Sequence, residues 1–472
     1  MPANVLPKLT TLLPDQIQYI HERSLEILGR AGVRVDSPRA RRILAQAEGV
    51  QWIGQDRALL ESGLVEWVIQ AAPGAVDLFD RRGQLSFHLG EDRTRFGIGV
   101  TNLYYQDPLS DLIEPFTRRH MGLSVRLGNQ LPHYDVISTI GVLQDYPPET
   151  ADLYAVLEMA ANTIKPLVVL ISNESLFPRA LDLLEHLHGD LATRPFVVPY
   201  FNPITPLIIN QGTGDKMLEA IERGLPVIYS NYSLAGMSTP ITAAGTLALM
   251  NAELLAGLTL AQLAHPGAPV ILGSLPAYFD MRSMQDFYDP HSMLINLACA
   301  EMMAHYGLPH AGTSGSGIGW GTDLAAAGLL WMNHLTSLLG RSGLAPFVGG
   351  NLGSKAFSPV LAVYSHEIID QALRLSRGFP LDDESLDMEE IVRRGPGGGF
   401  LEADLTMKLY RQAYHESKIT PRIGLEKWEE RGRPQVIDLL RRHTQNLLET
   451  SQPPEDHDEL IAEGEAFIYR FS

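Results

Sequence analysis

Cysteine is nearly absent from this 472-residue chain, which has one, Cys299. A lone cysteine forms no internal disulfide and supplies no CxxC pair for structural zinc or thiol-redox chemistry. Its setting, Leu297-Ala298-Cys299-Ala300, reads as core. Positive charge is also scarce: 37 Lys and Arg stand against 55 Asp and Glu, a formal net charge of −18. No broad basic surface exists to displace counterions, so nucleic acid is excluded as a partner. No apolar run is read as approaching the roughly 18 residues of a membrane span, and the start of the chain has no charged-then-apolar signal layout. The expectation is a soluble, cytoplasmic protein with no membrane partner.

Several catalytic signatures are missing as well. The run Gly315-Ser316-Gly317-Ile318-Gly319-Trp320-Gly321 lacks the third glycine that a dinucleotide fingerprint needs. No GK[ST] follows a glycine loop, and neither HExxH nor GxSxG occurs. His186 and His188, two apart, face different ways on a helix, and His366-Glu367 has no second histidine four residues on. No metal site is expected in this chain.

What remains is ordinary globular composition, 45% hydrophobic and 19% charged. Length alone suggests about three domains, although a barrel of roughly 250 residues counts as one. The opening segment predicts a helix, with Asp15 as cap, Ile17, Ile20, Ile27 and Leu28 at helical spacing, and Gly32 as stop. A second helix is predicted over 37–48, and a hairpin around Asp80-Arg81-Arg82-Gly83. Eight continuous apolar runs follow, at 96–100, 136–142, 167–172, 197–201, 226–231, 269–273, 310–313 and 346–350. Unbroken apolar runs suit parallel strands buried on both faces. Helical stretches at 153–162, 175–189, 214–224 and 242–264 lie between them. The alternation predicts an α/β fold, a (β/α)8 TIM barrel over 96–360, with a doubly wound sheet as the alternative. Residues 1–95 form the N-terminal helices and hairpin, and 361–472 a C-terminal helical extension.

In such barrels chemistry sits at the carboxyl ends of the strands. Those ends read Thr101-Asn102-Leu103-Tyr104-Tyr105, Ser172-Asn173, Tyr200-Phe201-Asn202, Ser230-Asn231-Tyr232, Gly273-Ser274, Thr313-Ser314 and Gly350-Asn351. They are polar, uncharged and rich in aromatic rings, an unusual mouth for a phosphate or metal enzyme.

Segment 236–273, with Gly236, Pro240, Thr242, Gly245, Asn251, Glu253, Gly257, Gln262, Gly267 and Gly273, closely resembles the trimethylamine methyltransferase family. So do Gly395-Pro396-Gly397-Gly398-Gly399-Phe400-Leu401, Pro421-Arg422 and Trp428-Glu429-Glu430-Arg431-Gly432, and the opening helix through Ala31-Gly32-Val33-Arg34-Val35. The resemblance implies a TIM-barrel subunit that demethylates a methylated amine and hands the methyl group to cobalt in a separate corrinoid protein. Trimethylamine enzymes of that family carry pyrrolysine, and this chain has only the twenty standard residues. It is therefore similar to the non-pyrrolysine branch, which uses quaternary amines such as glycine betaine. A quaternary ammonium already has a neutral amine as leaving group, so Co(I) attacks its methyl carbon without further activation, and the enzyme positions and desolvates a cation. A corrinoid-binding DxHxxG motif is missing: Asp289-Pro290-His291 begins like one, but Leu294 takes the glycine place. The resemblance thus implies no cofactor on this chain and cobalamin supplied by the partner. Homo-oligomerisation is compatible with the sequence, which does not determine it. The strand-seven loop departs from the family pattern: Gly315 to Trp320 and Asp323-Leu324-Ala325-Ala326-Ala327-Gly328 replace polar residues, and pocket loops set specificity.

Aromatic faces hold a quaternary ammonium best. Tyr104, Tyr105, Tyr200, Phe201, Tyr232 and Trp320 are the candidates; aromatic residues near a barrel mouth are often plain packing, and Trp320 stands out because its glycine run could not bury it locally. His310, His366, Arg282 and Lys355 are candidate anchors for a carboxylate. Asn102, Asn202 and Asn231 could orient substrate or satisfy loop backbone. Glu253, deep in an apolar helix, needs a partner or a raised pKa. Ser238-Thr239-Pro240 reads as the cap of the following helix. Two other functions stay open: a betaine-binding or sensing protein without turnover, and a barrel methyltransferase with a non-amine donor.

Overall fold

Eight short apolar segments pair side by side and close into a ring. They are β1 (Arg95–Ile98), β2 (Val136–Ser138), β3 (Leu167–Val169), β4 (Val197–Phe201), β5 (Val227–Ala235), β6 (Val270–Asp280), β7 (His310–Ala311) and β8 (Leu344–Val348). Each pairs in parallel with the next, and β8 returns to β1. The structure, a computed structural model, describes residues 4–91, 93–314, 317 and 319–470. Eight helices follow the strands in turn, α1 (Arg118–Gln130), α2 (Ala151–Asn162), α3 (Phe177–His188), α4 (Gln211–Glu222), α5 (Ala243–Ala264), α6 (Pro290–Tyr306), α7 (Leu324–Leu339) and α8 (Pro359–Ser376). The (β/α)8 expectation holds, and the doubly wound alternative falls to the closure of β8 on β1.

Two cores share the sheet. Alternate strand residues Val136, Val168, Val198, Ile228, Ile271 and Leu344 point into the barrel. Their neighbours Ile137, Leu167, Val197, Val227, Val270 and Leu272 point outward and pack against the helices. The predicted hairpin, Val76–Phe79 with Leu85–Leu89, forms in antiparallel register. Its Val76, Leu78, Phe87 and Leu89 join the inner core. Because Phe79 N–H donates to the carbonyl of Pro195, just before β4, the hairpin closes the amino end of the barrel. The carboxyl ends of the strands lie at the opposite, unplugged mouth.

Helix α5 corrects one expectation. It has 22 residues and is apolar enough to cross a bilayer, but it is mostly buried in the protein and sits among other helices and β5. A helix buried on all sides carries no polar stripe, so composition alone does not separate it from a span. Gly257 lets it approach the sheet: a Cβ there would lie 2.1 Å from the Tyr229 ring. Its cap is Thr242, whose hydroxyl accepts from Gly245 N–H, while Ser238 accepts from Leu234 N–H in the preceding turn. The opening helix, Pro14–Arg30, likewise starts differently from expectation. Gln16 accepts from Leu13 N–H at 2.8 Å, and Asp15 lies inside the first turn. The second helix ends early, spanning Pro38–Leu44.

Strands β5 and β6 run well past the positions at which the sequence pattern ends them. Pairing continues from Val227↔Val270 to Ala235↔Tyr278. Tyr229 is the last residue of β5 paired with β4, so the pair extends about 20 Å further at 3.3 Å per residue. A return strand, Gln285–Phe287, folds back antiparallel on β6. The three strands form a flap standing over the open end.

The hairpin plug yields a stability prediction. Leu78 is fully buried, and Leu78→Ala leaves a cavity costing about 3 kcal/mol in chemical denaturation. A loss below about 0.5 kcal/mol, typical of surface positions, would mean the hairpin does not close the barrel.

Candidate active site at the barrel mouth

The inward phase of the strands decides which side chains reach the mouth. On β4, Tyr200 points inward, only 6% exposed, with its edge on Phe347 of β8 at 5.0 Å and 76°. Its neighbour Phe201 points outward against Phe177. On β5, Ser230 and Tyr232 take the inward phase, while Tyr229 and Asn231 face α5. The Tyr200 hydroxyl lies near Ser230 Oγ, yet among the described residues neither atom completes a hydrogen bond, although both are buried.

The flap adds what the strand ends lack. Tyr232 donates its hydroxyl to Asp286 Oδ2 at 2.5 Å, tying β5 to the return strand. Tyr288, two residues on, lies close enough to Tyr200 and Tyr232 to raise both phenols further above the value that burial sets. Asp286 also raises Tyr232. Tyr288 is itself pushed up to about 12, first by burial and then by Asp286. All three phenols therefore stay neutral at physiological pH and present electron-rich rings.

A cleft of about 400 Å³ opens beside this group. Gln285, Asp286, Phe287 and Tyr288 line it from the flap, and Trp320, Leu352, Gly353 and Lys355 from the loops after β7 and β8. Trp320 is 86% exposed, its backbone N–H held by Asp323. Gly315, Ser316 and Ile318 of the glycine run lie outside the described residues. The Lys355 loop is braced from behind. Asn102 Nδ2 donates to the carbonyl of Ser354 at 2.8 Å, and Asn351 Nδ2 to Gln106 Oε1 at 3.0 Å.

The other candidates do not line this cleft. Tyr104 is partly exposed on a strand beside the Lys355 loop, its N–H donating to the Lys355 carbonyl at 2.9 Å, and Tyr105 is buried, stacked on His120 at 4.2 Å. Asn202 sits exposed on the rim, its carbonyl accepting from Thr213. His310 is buried behind β6, between Ser274 Oγ and the carbonyl of Ser342, both at 2.9 Å. Burial holds its pKa down to about 4, so it is neutral. His366, in the helix layer, stacks on His133 at 4.7 Å; burial and that neighbour hold it to about 3. Arg282 lies in the flap turn. Asp289 caps α6. Among the described residues no group of three His, Cys, Asp or Glu side chains is placed to hold a metal ion. Cys299 is buried, its thiol pushed up to about 12 by burial.

Asp286 and Tyr288 were missed by the strand-end reading because it stops the sixth strand at Gly273. The run Leu275-Pro276-Ala277-Tyr278-Phe279 after it is apolar enough to have signalled the extension.

Comparisons with known proteins concern the whole chain. A family model described as trimethylamine methyltransferase (MTTB) matches residues 1–471. A glycine betaine methyltransferase of Desulfitobacterium hafniense (strain Y51) is 26% identical over 475 residues, covering 99% of this chain and 98% of that protein. A trimethylamine methyltransferase MttB of D. hafniense (strain DSM 10664 / DCB-2) is 25% identical, covering 93% and 89%. Among solved structures, the Methanosarcina barkeri monomethylamine methyltransferase shares the fold, with a TM-score of 0.53 and 9% identity, covering 98% of this chain and 89% of that one.

Glu253 serves the scaffold beside the mouth. It points outward from the site and accepts from Leu207 N–H at 2.5 Å and from Thr205 Oγ1 and Asn231 Nδ2, each at 3.1 Å. These bonds latch the loop after β4. Burial outweighs them and raises its pKa from 4.5 to about 7. The native state thus holds a proton that the unfolded chain releases above about pH 4.5. The stability this group contributes is full below that pH and is lost as pH rises through about 7. Between pH 5 and 8 the wild type should lose unfolding free energy relative to Glu253→Gln, measured by urea titration. A difference that does not change with pH would contradict this.

Proposed function

Because the chain belongs to the trimethylamine methyltransferase family, we propose that it demethylates a quaternary amine of the glycine betaine kind. The methyl group passes to the corrinoid of a separate partner protein in the cytoplasm. The observation that carries the substrate side is the convergence of Tyr200, Tyr232 and Tyr288 at the carboxyl end of the barrel. A cation against such rings gains about 0.5–2 kcal/mol per ring, the upper end where water is excluded. The near-full-length similarity to a glycine betaine methyltransferase supports the same class.

The reaction asks little acid–base chemistry of this chain. When bound, the corrinoid would supply a cobalt(I) nucleophile for the methyl carbon, and the C–N bonding pair would leave with nitrogen as a neutral tertiary amine. No proton is needed for that departure, which accords with histidines held neutral and away from the mouth. Tyr200, Tyr232 and Tyr288 hold the ammonium and exclude water, so that a methyl group points outward along the barrel axis.

The rim suits a docked partner. Met237, Ile241, Met281, Met284, Trp320 and Leu324 are exposed on the turns that surround the mouth, Leu324 at 93%. Large apolar side chains gathered on one face of a protein mark an interaction surface.

Two measurements test this. With a reduced corrinoid protein and a panel of quaternary amines, glycine betaine should consume the Co(I) absorbance in proportion to tertiary amine formed. Thermal stabilisation by betaine without any loss of Co(I) would make the protein a binder, and no response to any quaternary amine would overturn the proposal. In the same assay Met281→Asp should raise KM for the corrinoid protein about tenfold, the scale of one hot-spot side chain. KM for the amine should not move; an unchanged corrinoid KM would remove the flap tip from the docking surface.

A further inference from the structure

The aromatic group accounts for a cation but not for the charges beside it. Two charged side chains line the 400 Å³ cleft, and they are opposite in sign. Asp286 comes from the flap, Lys355 from the loop after β8, so the cleft has an acidic wall and a basic wall.

Asp286 is held through its side chain and exposed Lys355 through its backbone, and both charges have capacity left. Tyr232 fixes Asp286 through one carboxylate oxygen, Oδ2, and among the described residues the other accepts no hydrogen bond. The backbone N–H of Lys355 donates to the carbonyls of Asn351 and Leu352, inside a loop that Asn102 and Asn351 brace. Its ammonium forms no ion pair among the described residues, although acidic side chains outnumber basic ones 55 to 37 in the chain. A half-buried carboxylate beside Tyr232 and Tyr288 favours a cation next to it, and an unpaired ammonium across the cleft favours an anion.

We propose that Asp286 and Lys355 read the two charges of a zwitterionic substrate, Asp286 facing its quaternary ammonium and Lys355 its carboxylate. The proposal rests on the methyl-transfer reading above, which by itself requires only the cationic end. Tyr232 acts as the positioning residue for Asp286. Selectivity for a betaine over a simple tetraalkylammonium comes from Lys355, and selectivity over a carboxylate of the same shape with an uncharged head comes from Asp286.

Three probes separate these roles by calorimetric binding to the full chain: glycine betaine carries both charges, tetramethylammonium the cation alone, and 3,3-dimethylbutyrate the carboxylate with a neutral trimethyl head. The wild type should bind glycine betaine at least tenfold more tightly than either other probe. Asp286→Asn should weaken glycine betaine and tetramethylammonium tenfold or more and leave 3,3-dimethylbutyrate unchanged. Lys355→Met should weaken glycine betaine and 3,3-dimethylbutyrate and leave tetramethylammonium unchanged, with Lys355→Arg restoring the loss. Wild-type binding with losses equal across all three probes, or absent in both variants, overturns the charge assignment and leaves the methyl-transfer reading standing. A wild type that binds none of the three overturns both.

Discussion

Closure of the parallel sheet is the constraint on which the rest depends. Once eight strands form a ring, each strand residue is committed to one of two interiors, and the commitment alternates. That alternation sends Tyr200 into the barrel and Phe201 into the helix layer, although the two are adjacent. It likewise sends Ser230 and Tyr232 inward and Asn231 outward to Glu253. With the amino end plugged by the hairpin, inward residues near the carboxyl ends face the opposite mouth. The site is therefore a consequence of strand phase and of the plug.

Much of this architecture was legible because strands buried on both faces write largely apolar runs, the short His310-Ala311 segment of β7 being the weakest of the eight. The same property hid the phase. Where both faces are apolar, nothing in Val197-Val198-Pro199-Tyr200-Phe201 says which ring faces in. Histidine poses a related problem: His310 is a candidate carboxylate anchor by its place in the sequence, but it occupies the outward phase and is satisfied by Ser274 and Ser342. The flap was less legible still, since a strand leaving its barrel follows no period of the fold. Asp286 and Tyr288 reach the mouth only because the return strand folds back on β6. The segment that carried the family resemblance, 236–273, builds α5, the Glu253 latch and the Gly257 contact. It identifies the family through the scaffold and says little about the pocket.

The chemistry follows from what the mouth contains. Burial keeps three phenols neutral, the nearby histidines are uncharged and occupied elsewhere, and the charged residues of the cleft stand at its walls. Such a site stabilises a fixed cation through ring faces and one counter-charge, and it offers no strong acid to a leaving group. A substrate that departs as a neutral amine matches those means. The exposed apolar rim, with Trp320 and Leu324 its most accessible members, gives the mouth a surface that suits the proposed methyl-accepting partner.

The central claim is that a quaternary ammonium sits among Tyr200, Tyr232 and Tyr288, and a crystal structure with glycine betaine bound tests it most directly. The account predicts the nitrogen within about 6 Å of the three ring centroids, the reach of a cation–π contact, with one methyl group facing the open mouth. Betaine bound on the helix layer or at the closed end of the barrel, with the three rings empty, would contradict it.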